Sequence, residues 1–598
     1  MGHAKASYAQ RLETLGKQKK VLERKSFLFY ILRIVTFAML VALVILLISI
    51  GANWPTLASM ALTFFFFVYL IKSHLSIAKH LRQLGYRMEV NRAEVRSISH
   101  HLEGFNTGET YNYLNPELSA DFDLFGEGSL FQYINRSSTS IGRKRFAEML
   151  CSWDKEEDLI TFKQQAIKEL ASNMVFVEEF QTQGKVVEEV GNEVERLLEW
   201  VESPGWIGQG FKVLLRAYPL AVFLTIMAVA LSMASYILIL VPVFFSLFLL
   251  NRHKRRIDDA HEKLGRSSKI FKRYSALMHT IEEESFKTKY LISLKGAYVQ
   301  NQEVASKSLR KLFGLLEWFD IRFNVTASFL LNVLFLFDFQ ILHALELWKS
   351  KHRCCVPLWF QAISETDALI GLARFAFNNQ EAAVYPKIQF EPFCLKGHGL
   401  GHPLIPHEQR VNNNLELTGS PMLQVVTGAN MAGKSTYLRT LVVNLILAHN
   451  GAPVCAQSFM FSPCSIVSSI NIRDSLAQNQ SYFYAELLRI RSIIDRVEKN
   501  PRTLVVLDEI LRGTNTNDKQ LGTLGLLRKL IGLNGFTIIA THDLLIGKMA
   551  EEFPEIVRNH CFEVELENDE LVFDYKLKEG VTTKLNASFL MRIMGVID

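Results

Sequence analysis

The chain has 598 residues and a positive mean hydropathy. Single hydrophobic cores stop growing well below this length, so a one-domain protein is excluded and at least three units are expected. The formal net charge is +6, but residues 1–25 carry seven basic and two acidic side chains, an excess of +5 that leaves only +1 for the remaining chain. The charge therefore gives no global argument for a protein that tracks nucleic-acid phosphates, and any such contact must come from a local patch.

The cysteines include no CxxC pair and no His/Cys spacing typical of a metal site. We interpret them as ordinary core thiols in a reduced, cytosolic catalytic portion. The seven residues are Cys151, Cys354, Cys355, Cys394, Cys455, Cys464 and Cys561.

Two long segments carry no charged residue. The first runs from Ile34 to Ile71 with a turn-like break at 51–55, and the second runs from Ala217 to Leu250 with its most polar point at 232–235. Each is too long for one membrane span of roughly 20 residues and each is broken in the middle, so each predicts a transmembrane helical hairpin. The alternative is a pair of deeply buried core hairpins.

Basic residues flank both ends of both segments, whereas the break of the first segment carries no charge. By the positive-inside tendency these flanks lie in the cytoplasm, which predicts a multi-pass protein of the cytoplasmic (inner) membrane with both termini inside. A removable signal peptide fits poorly, since the first apolar run is too long. The flanking residues are Lys19, Lys20, Arg24, Lys25, Lys72, Lys79, Arg82, Lys212, Arg216, Arg252, Lys254, Arg255 and Arg256.

A third apolar run, Phe323–Phe337, is shorter, contains Asn324 and Asn332, and is closed by Asp338. We expect a buried helix there. The other segments between residues 74 and 313 predict charged helices, with a helix-turn-helix over 130–153, so the middle of the chain is mainly α.

The pattern changes after about Tyr385, where short β-branched runs alternate with helical stretches. Three of these runs, Leu423–Thr427, Leu504–Leu507 and Thr537–Ala540, have the length and composition of buried parallel strands. This region is therefore predicted to be α/β.

The first of these strands leads into a loop that satisfies GxxxxGK[ST] and opens a helix at Ser435. Such a loop surrounds a β-phosphate with backbone N–H groups, places Lys434 on the β and γ oxygens and offers Ser435 to Mg²⁺. The predicted nucleotide-binding residues are Gly428, Ala429, Asn430, Met431, Ala432, Gly433, Lys434, Ser435 and Thr436.

The second strand ends in Asp508 and Glu509. Asp508 is placed to contact Mg²⁺ through a water, and Glu509 is placed to act as a base that orients or deprotonates the attacking water. The reaction that these roles imply is hydrolysis of ATP. His542 follows the third strand and can sense the γ-phosphate; alternatively, it is a solvent-facing cap. Ser481 stands at the start of another predicted helix, where a serine suits a phosphate but is by itself more often an N-cap.

Three motifs in order resemble the ATPase domain of the MutS family: GANMAGKST at 428–436, DEILRGTNTND at 508–518 and ATHD at 540–543. More weakly, residues 128–143, Glu365–Asp367 and His402–Leu404 are similar to the MutS core domain and to its link with the ATPase. The resemblance implies a homodimer in which Ser481 reaches the γ-phosphate of the opposite subunit and residues 512–518 cross the interface.

The sequence departs from the family at Leu511, Asn515 and Lys519, where members usually have Gly, Ser and Gly. These changes affect the predicted interface and leave the phosphate-handling residues whole. The hairpins occupy the place of a mismatch-reading domain, and the aromatic-x-acidic wedge of that domain has no credible counterpart, since Phe176-Val177-Glu178 lies in a charged helical stretch.

The predicted fold is therefore multidomain, with a mainly α core of long lever helices, two transmembrane helical hairpins and a C-terminal α/β P-loop ATPase of ABC type. The expected units are a basic cytoplasmic N-terminus (1–26), hairpin 1 (27–72), the first part of the MutS-like core (73–211), hairpin 2 (212–251), the second part of the lever and core helices (252–385) and the ATPase domain (386–598).

Two functions remain open. The first is a membrane-anchored ATPase whose dimer switch, driven by ATP and Mg²⁺, is coupled to binding of mismatched or branched DNA. The second is an ATP-dependent membrane scaffold or sensor that does not bind DNA, which the nearly neutral remainder of the chain favours. An ABC transporter is weaker, because a transport pathway would normally show polar intramembrane residues.

Overall fold

The computed structural model describes residues 2–51, 53–187, 189, 192–206, 208–264, 268–300, 303–419, 421–429, 431–471, 482–567 and 570–582. In these ranges the chain is mostly helical as far as Asn378, and two mixed sheets follow. The helices are α1 (Gly2–Ile50), α2 (Trp54–Ile98), α3 (Pro116–Phe122), α4 (Leu130–Ile134), α5 (Ser140–Cys151), α6 (Glu157–Ser172), α7 (Met174–Gly184), α8 (Glu193–Glu202), α9 (Gln209–Ala230), α10 (Leu240–Leu264), α11 (Ser268–Glu283), α12 (Lys289–Gly296), α13 (Ala305–Phe319), α14 (Val325–Phe335), α15 (Phe337–His352), α16 (Val356–Asn378), α17 (Lys434–His449), α18 (Tyr482–Lys499), α19 (Thr516–Gly532) and α20 (Met549–Glu552).

The strands lie mainly after residue 385. They are β1 (Val299–Gln300), β2 (Glu303–Val304), β3 (Lys387–Ile388), β4 (Cys394–Leu400), β5 (Asn413–Thr418), β6 (Met422–Gly428), β7 (Ser458–Phe461), β8 (Ser465–Ser469), β9 (Thr503–Asp508), β10 (Phe536–Thr541), β11 (Val557–Glu567) and β12 (Glu570–Glu579).

Helices α1 and α2 form one long antiparallel pair, and Gly51, directly after α1, has φ +84°. The basic N-terminal segment is therefore the first half of α1, continuous with the apolar half. Tyr8, in the first turns of α1, is buried against α16: its hydroxyl donates to the Asn378 side chain (2.8 Å) and accepts from Arg374 (3.1 Å). The base of the pair is thus fixed to the helical core.

Four helices in the described ranges are long and apolar enough to cross a membrane. They are α1, α2, α9 and the stretch Tyr236–Leu264, which is a short 3₁₀ turn continued by α10. Their apolar side chains are largely exposed, as Phe65 and Phe223 illustrate. This exposure disfavours the alternative of deeply buried core hairpins.

The expectation of a buried helix over Phe323–Phe337 is wrong. The segment is helical as α14, but Val325, Phe329, Leu330 and Phe335 are exposed, and Asn332 is the one residue of the helix that is buried. Length and lack of charge cannot tell a buried helix from an exposed apolar one, since neighbouring elements decide which faces are covered.

Helix α16 runs through the centre of the helical core and is buried along almost its whole length. The Asp367 carboxylate on this helix accepts hydrogen bonds from the backbone N–H groups of Ser138 (3.0 Å) and Thr139 (2.8 Å), which start α5. From the same region, the Trp153 indole donates to the Cys464 carbonyl (3.2 Å). The helical core is thereby joined directly to the α/β part.

The larger sheet has the order β12-β11-β6-β10-β9-β8. Strands β11, β6, β10, β9 and β8 are parallel, and β12 pairs antiparallel with β11. Strands β6, β9 and β10 are buried along their whole length, which confirms the three predicted strands. The register pairs Thr541 with Thr427 and Ala540 with Asp508, so the carboxyl ends of these strands lie side by side. A smaller sheet, β3-β7-β4-β5, lies beside it.

Candidate nucleotide site

The glycine-rich loop follows β6 and ends where α17 begins at Lys434. Three of its residues have left-handed backbone angles: Gly428 (φ +154°), Met431 (φ +66°) and Gly433 (φ +105°). A Cβ at Gly428 would lie 2.9 Å from the Phe562 carbonyl oxygen on the adjacent β11, which excludes a larger side chain there. Positive φ angles at these positions are typical of glycine-rich loops that bind phosphate through backbone N–H groups at a helix N-terminus. Asn430 lies outside the described residues.

Lys434 is buried, and its ammonium donates to two carbonyl oxygens of the same loop, those of Gly428 (2.8 Å) and Ala429 (2.9 Å). Its Nζ also lies 3.9 Å from a Glu509 carboxylate oxygen. Burial lowers the pKa of Lys434, and the nearby carboxylates of Glu509 and Asp508 oppose that shift. A buried ammonium held by loop carbonyls is a strong electrostatic site for an anion.

Ser435 and Asp508 come from different elements and meet at the loop. The Ser435 hydroxyl donates to the Asp508 carboxylate at 2.5 Å. Burial raises the pKa of Asp508 above its usual value, while the hydrogen bond from Ser435 acts in the opposite direction. Hydroxyl and carboxylate oxygens are ligand types that suit a Mg²⁺ ion that keeps several of its waters.

Glu509 has a strained backbone, with φ +47°, and its N–H donates to the Ala540 carbonyl (2.9 Å). Its carboxylate lies 3.5 Å from Nδ1 of His542 and 3.6 Å from the guanidinium of Arg512. The His542 side chain is about half exposed. The structure therefore brings Lys434, Asp508, Glu509 and His542 together at one edge of the larger sheet.

A cavity of about 490 Å³ opens beside the loop. The aromatic side chains of Tyr437, Phe562 and Tyr575, together with His402 and Asn413, line the side that the sequence analysis did not identify. Burial lowers the pKa of His402 to about 4, so this wall is uncharged at neutral pH. Asn413 accepts from the Leu577 N–H (2.8 Å) and donates to the Tyr575 carbonyl (3.0 Å), which fixes β12 over the cavity. These residues come from separate elements, namely the segment after β4, strands β5, β11 and β12, and helix α17, so no local motif marks them.

Glu486 is a further residue that sequence reasoning missed. It is buried near the start of α18, and its carboxylate accepts from the Leu511 N–H at 2.5 Å. Burial raises its pKa, and hydrogen bonds from the backbone of Leu511 and Arg512 oppose the rise. Leu511 itself has φ +59°. Glu486 therefore positions the strained turn that follows Glu509. In the sequence, the only signal that could have indicated Glu486 is that it is a lone acidic residue in an aromatic stretch.

The predicted interface residues are only partly described. Ser481 lies outside the described residues. Asn515 caps α19 by accepting from the Asp518 N–H (2.9 Å), and Arg512 donates to the Glu509 carbonyl (2.9 Å). Two of the three departures, Leu511 and Asn515, thus have hydrogen-bond partners within the same subunit.

Gly428→Ala will weaken nucleotide binding by about tenfold, because a Cβ collides with the Phe562 carbonyl and a strained backbone costs about 1–3 kcal/mol. Gly525→Ala is the matched control: it lies within α19 with open space around its Cβ position, so the change leaves binding unaltered. Titration with a fluorescent ATP analogue measures both. Equal affinity of the two variants would contradict the role of the loop.

Comparison with known proteins agrees with this geometry. Residues 424–595 match the family model for MutS domain V. Over 239 residues, 39% of this chain, the sequence is 30% identical to the DNA mismatch repair protein MutS of Shouchella clausii (strain KSM-K16). The aligned part spans 27% of that relative's length. The C-terminal part of the chain is therefore similar to domain V of the MutS family, and the chain spans about a quarter of the length of this relative.

Proposed function

We propose that the chain is an ATPase whose nucleotide site is built on a P-loop α/β domain of ABC type, residues 386–598. The observation that carries the proposal is the meeting of four groups at one end of the cavity: the Lys434 ammonium, the Ser435 hydroxyl and the carboxylates of Asp508 and Glu509. Residues with these chemistries fit a magnesium-bound triphosphate and its attacking water.

In this proposal the backbone N–H groups of residues 428–436 hold the phosphates, and Lys434 exchanges its loop carbonyls for phosphate oxygens. Ser435 and Asp508 hold Mg²⁺, which when bound neutralises charge on the transferred phosphoryl group. Glu509 orients a water and accepts its proton as the water oxygen bonds to the γ-phosphorus and the bond to the β–γ bridging oxygen breaks. ADP and phosphate are the products. His542, beside Glu509, lies where a histidine can contact the γ-phosphate.

The proposal extends to a homodimer through the ATPase domains, with Ser481 of the partner subunit completing each site. Its support is the family relationship, since the segment that carries Ser481 lies outside the described residues.

We further propose that hairpin 1 (27–72) and hairpin 2 (212–251) anchor the chain in the cytoplasmic membrane. The basic N-terminus (1–26), the two parts of the core (73–211 and 252–385) and the ATPase domain then lie in the cytoplasm. The exposed apolar surfaces of four helices and the basic residues at their ends support this arrangement.

The relative is named for DNA mismatch repair. A DNA-repair-related function is therefore the first candidate for this chain, with mismatched or branched DNA as the ligand that the dimer switch controls. The small net charge beyond residue 25 favours a second candidate, a membrane scaffold or sensor that uses the same switch without DNA.

One experiment separates these candidates. The full chain in detergent will hydrolyse ATP only when Mg²⁺ is present, and for the first candidate it will bind duplex, mismatched or branched DNA in a way that depends on ATP and weakens with salt. ATP hydrolysis without such DNA binding at any salt concentration selects the scaffold or sensor. Absence of hydrolysis and of ATP binding would refute the ATPase.

A further inference from the structure

Helix α14 has an apolar surface that no element of the described chain covers. Val325 is 81% exposed, Leu330 54% and Phe335 45%, and Phe323, just before the helix, is 68% exposed. The helix carries no charged residue. Its one buried polar side chain, Asn332, donates to the Ser328 carbonyl (3.0 Å) and accepts from the Asp338 N–H (3.0 Å). The helix thus needs no polar partner from outside.

Two hydrogen bonds tie this region to hairpin 2. The buried hydroxyl of Tyr218 on α9 lies 2.8 Å from the Val333 carbonyl oxygen of α14 and 2.9 Å from the Pro242 carbonyl oxygen of α10. Pro219 has no N–H, so the Leu215 carbonyl lacks its helical partner, and Gln340 of α15 donates to it at 2.6 Å. Helix α14 is therefore fixed beside the cytoplasmic part of the hairpin.

Helix α14 is too short to cross a bilayer. Its 11 residues extend about 16 Å, about half of a hydrocarbon core of about 30 Å. Leu336 ends it with φ +51°, and the axis turns by 76° into α15, where Leu345 and Trp348 are buried in the helical core. The two helices reach spanning length only as a bent pair, and the Trp348 indole of α15 donates to the Ser308 carbonyl of α13 (2.9 Å), so the chain after α14 returns to the helix that precedes it.

Charged groups mark the boundary of this apolar region. Before α14, Arg322 donates to Asp258 (2.7 Å) and Asp320 lies 2.9 Å from Nε2 of His261. Asp258 and His261 belong to the part of α10 that follows the basic residues 252–256. The exposed Trp318 lies at the same boundary, a position where tryptophan is enriched at membrane surfaces.

We propose that α14 is a third membrane element, which enters the cytoplasmic leaflet without crossing it and contacts the lipid acyl chains with its exposed face. The occupant is the bilayer and not a second copy of the chain, because α14 packs against α9 and α10, whose apolar side chains are exposed as well. The proposal rests on the membrane anchoring proposed above.

The test uses the full chain in vesicles of phosphatidylethanolamine and phosphatidylglycerol. An environment-sensitive fluorophore is attached to Phe329→Cys, or to Leu330→Cys as a second position, after Cys151, Cys354 and Cys355 have been replaced by serine. Lipids spin-labelled on the acyl chain near the headgroup will quench the fluorophore on α14. Aqueous iodide will quench it several-fold less than it quenches the same fluorophore at the control Val175→Cys. Val175 lies on α7 and is 72% exposed.

Iodide quenching equal to that at Val175→Cys would overturn the proposal. Protection from both quenchers would also overturn it, because it would show that a protein partner and not lipid covers α14. Phe65→Cys, on hairpin 1, separates this failure from failure of the anchoring itself. If Phe65→Cys is quenched by lipid and Phe329→Cys is not, only the role of α14 is lost. If iodide reaches both, the membrane anchoring is refuted as well.

Discussion

Glu509→Gln will lower the rate of ATP hydrolysis by at least about 100-fold and leave ATP binding within a few-fold of the parent chain. The amide keeps the size of the side chain but cannot accept a proton from water. Lys434 is held in place by the glycine-rich loop and not by Glu509, so in the variant it remains free to exchange its loop carbonyls for phosphate oxygens. Single-turnover hydrolysis with radiolabelled ATP and a separate binding titration measure the two effects.

Glu551→Gln is the matched control, since Glu551 is an exposed acid on α20. It will hydrolyse ATP at the parent rate. A Glu509→Gln variant that turns over as fast as this control would remove Glu509 from its role as the base. If Glu509→Gln loses ATP binding as well as hydrolysis, the role of Glu509 is in binding the nucleotide.

Glu94→Ala will destabilise the folded chain by roughly 3–5 kcal/mol, the cost of leaving a buried charge without its partner. Glu94 is buried on α2 and accepts from Arg136 (2.7 Å) and Asn378 (2.8 Å). Burial opposes its ionisation, but Arg136 and Arg374 hold its pKa below the usual value. The ionised form therefore stabilises the fold above the unfolded pKa, and this contribution is lost as pH falls through the folded pKa.

Urea unfolding in detergent at neutral pH, followed by tryptophan fluorescence, measures the change. Glu13→Ala is the control, because Glu13 is an exposed acid on α1 paired with Lys17 (2.6 Å) in the surface. Its unfolding curve will coincide with that of the parent. If the unfolding curve of Glu94→Ala also coincides with that of the parent, the buried contact between Glu94 and Arg136 does not hold α2 to the core.

The sequence predicted the central strands and the convergence of Lys434, Asp508, Glu509 and His542 because both depend on local patterns. Buried parallel strands are nearly continuous apolar runs, and side chains that follow neighbouring parallel strands meet at one edge of the sheet. The family resemblance predicted the order of these motifs.

Other features depend on contacts between distant segments. Glu486 acts on Leu511 through a backbone hydrogen bond between α18 and the turn after β9, which no spacing in the sequence reveals. Helix α14 is exposed because no neighbouring element among the described residues covers it. The sequence of an apolar run of that length does not indicate whether such a neighbour is present. Likewise, the basic N-terminus was predicted as a separate unit because charge, and not helical continuity, marked its boundary.

The unbroken course of α1 has a mechanical consequence. Residues 8–26 form roughly 27 Å of helix between the contacts of Tyr8 and the apolar half of α1. A flexible linker of this length would absorb a movement of α16, whereas a helix paired along its length with α2 transmits it. In a chain anchored as proposed, α1 and α2 therefore act as one rigid connection between the helical core and the membrane. A displacement of α16 at Arg374 then tilts or shifts the membrane-spanning part of these helices.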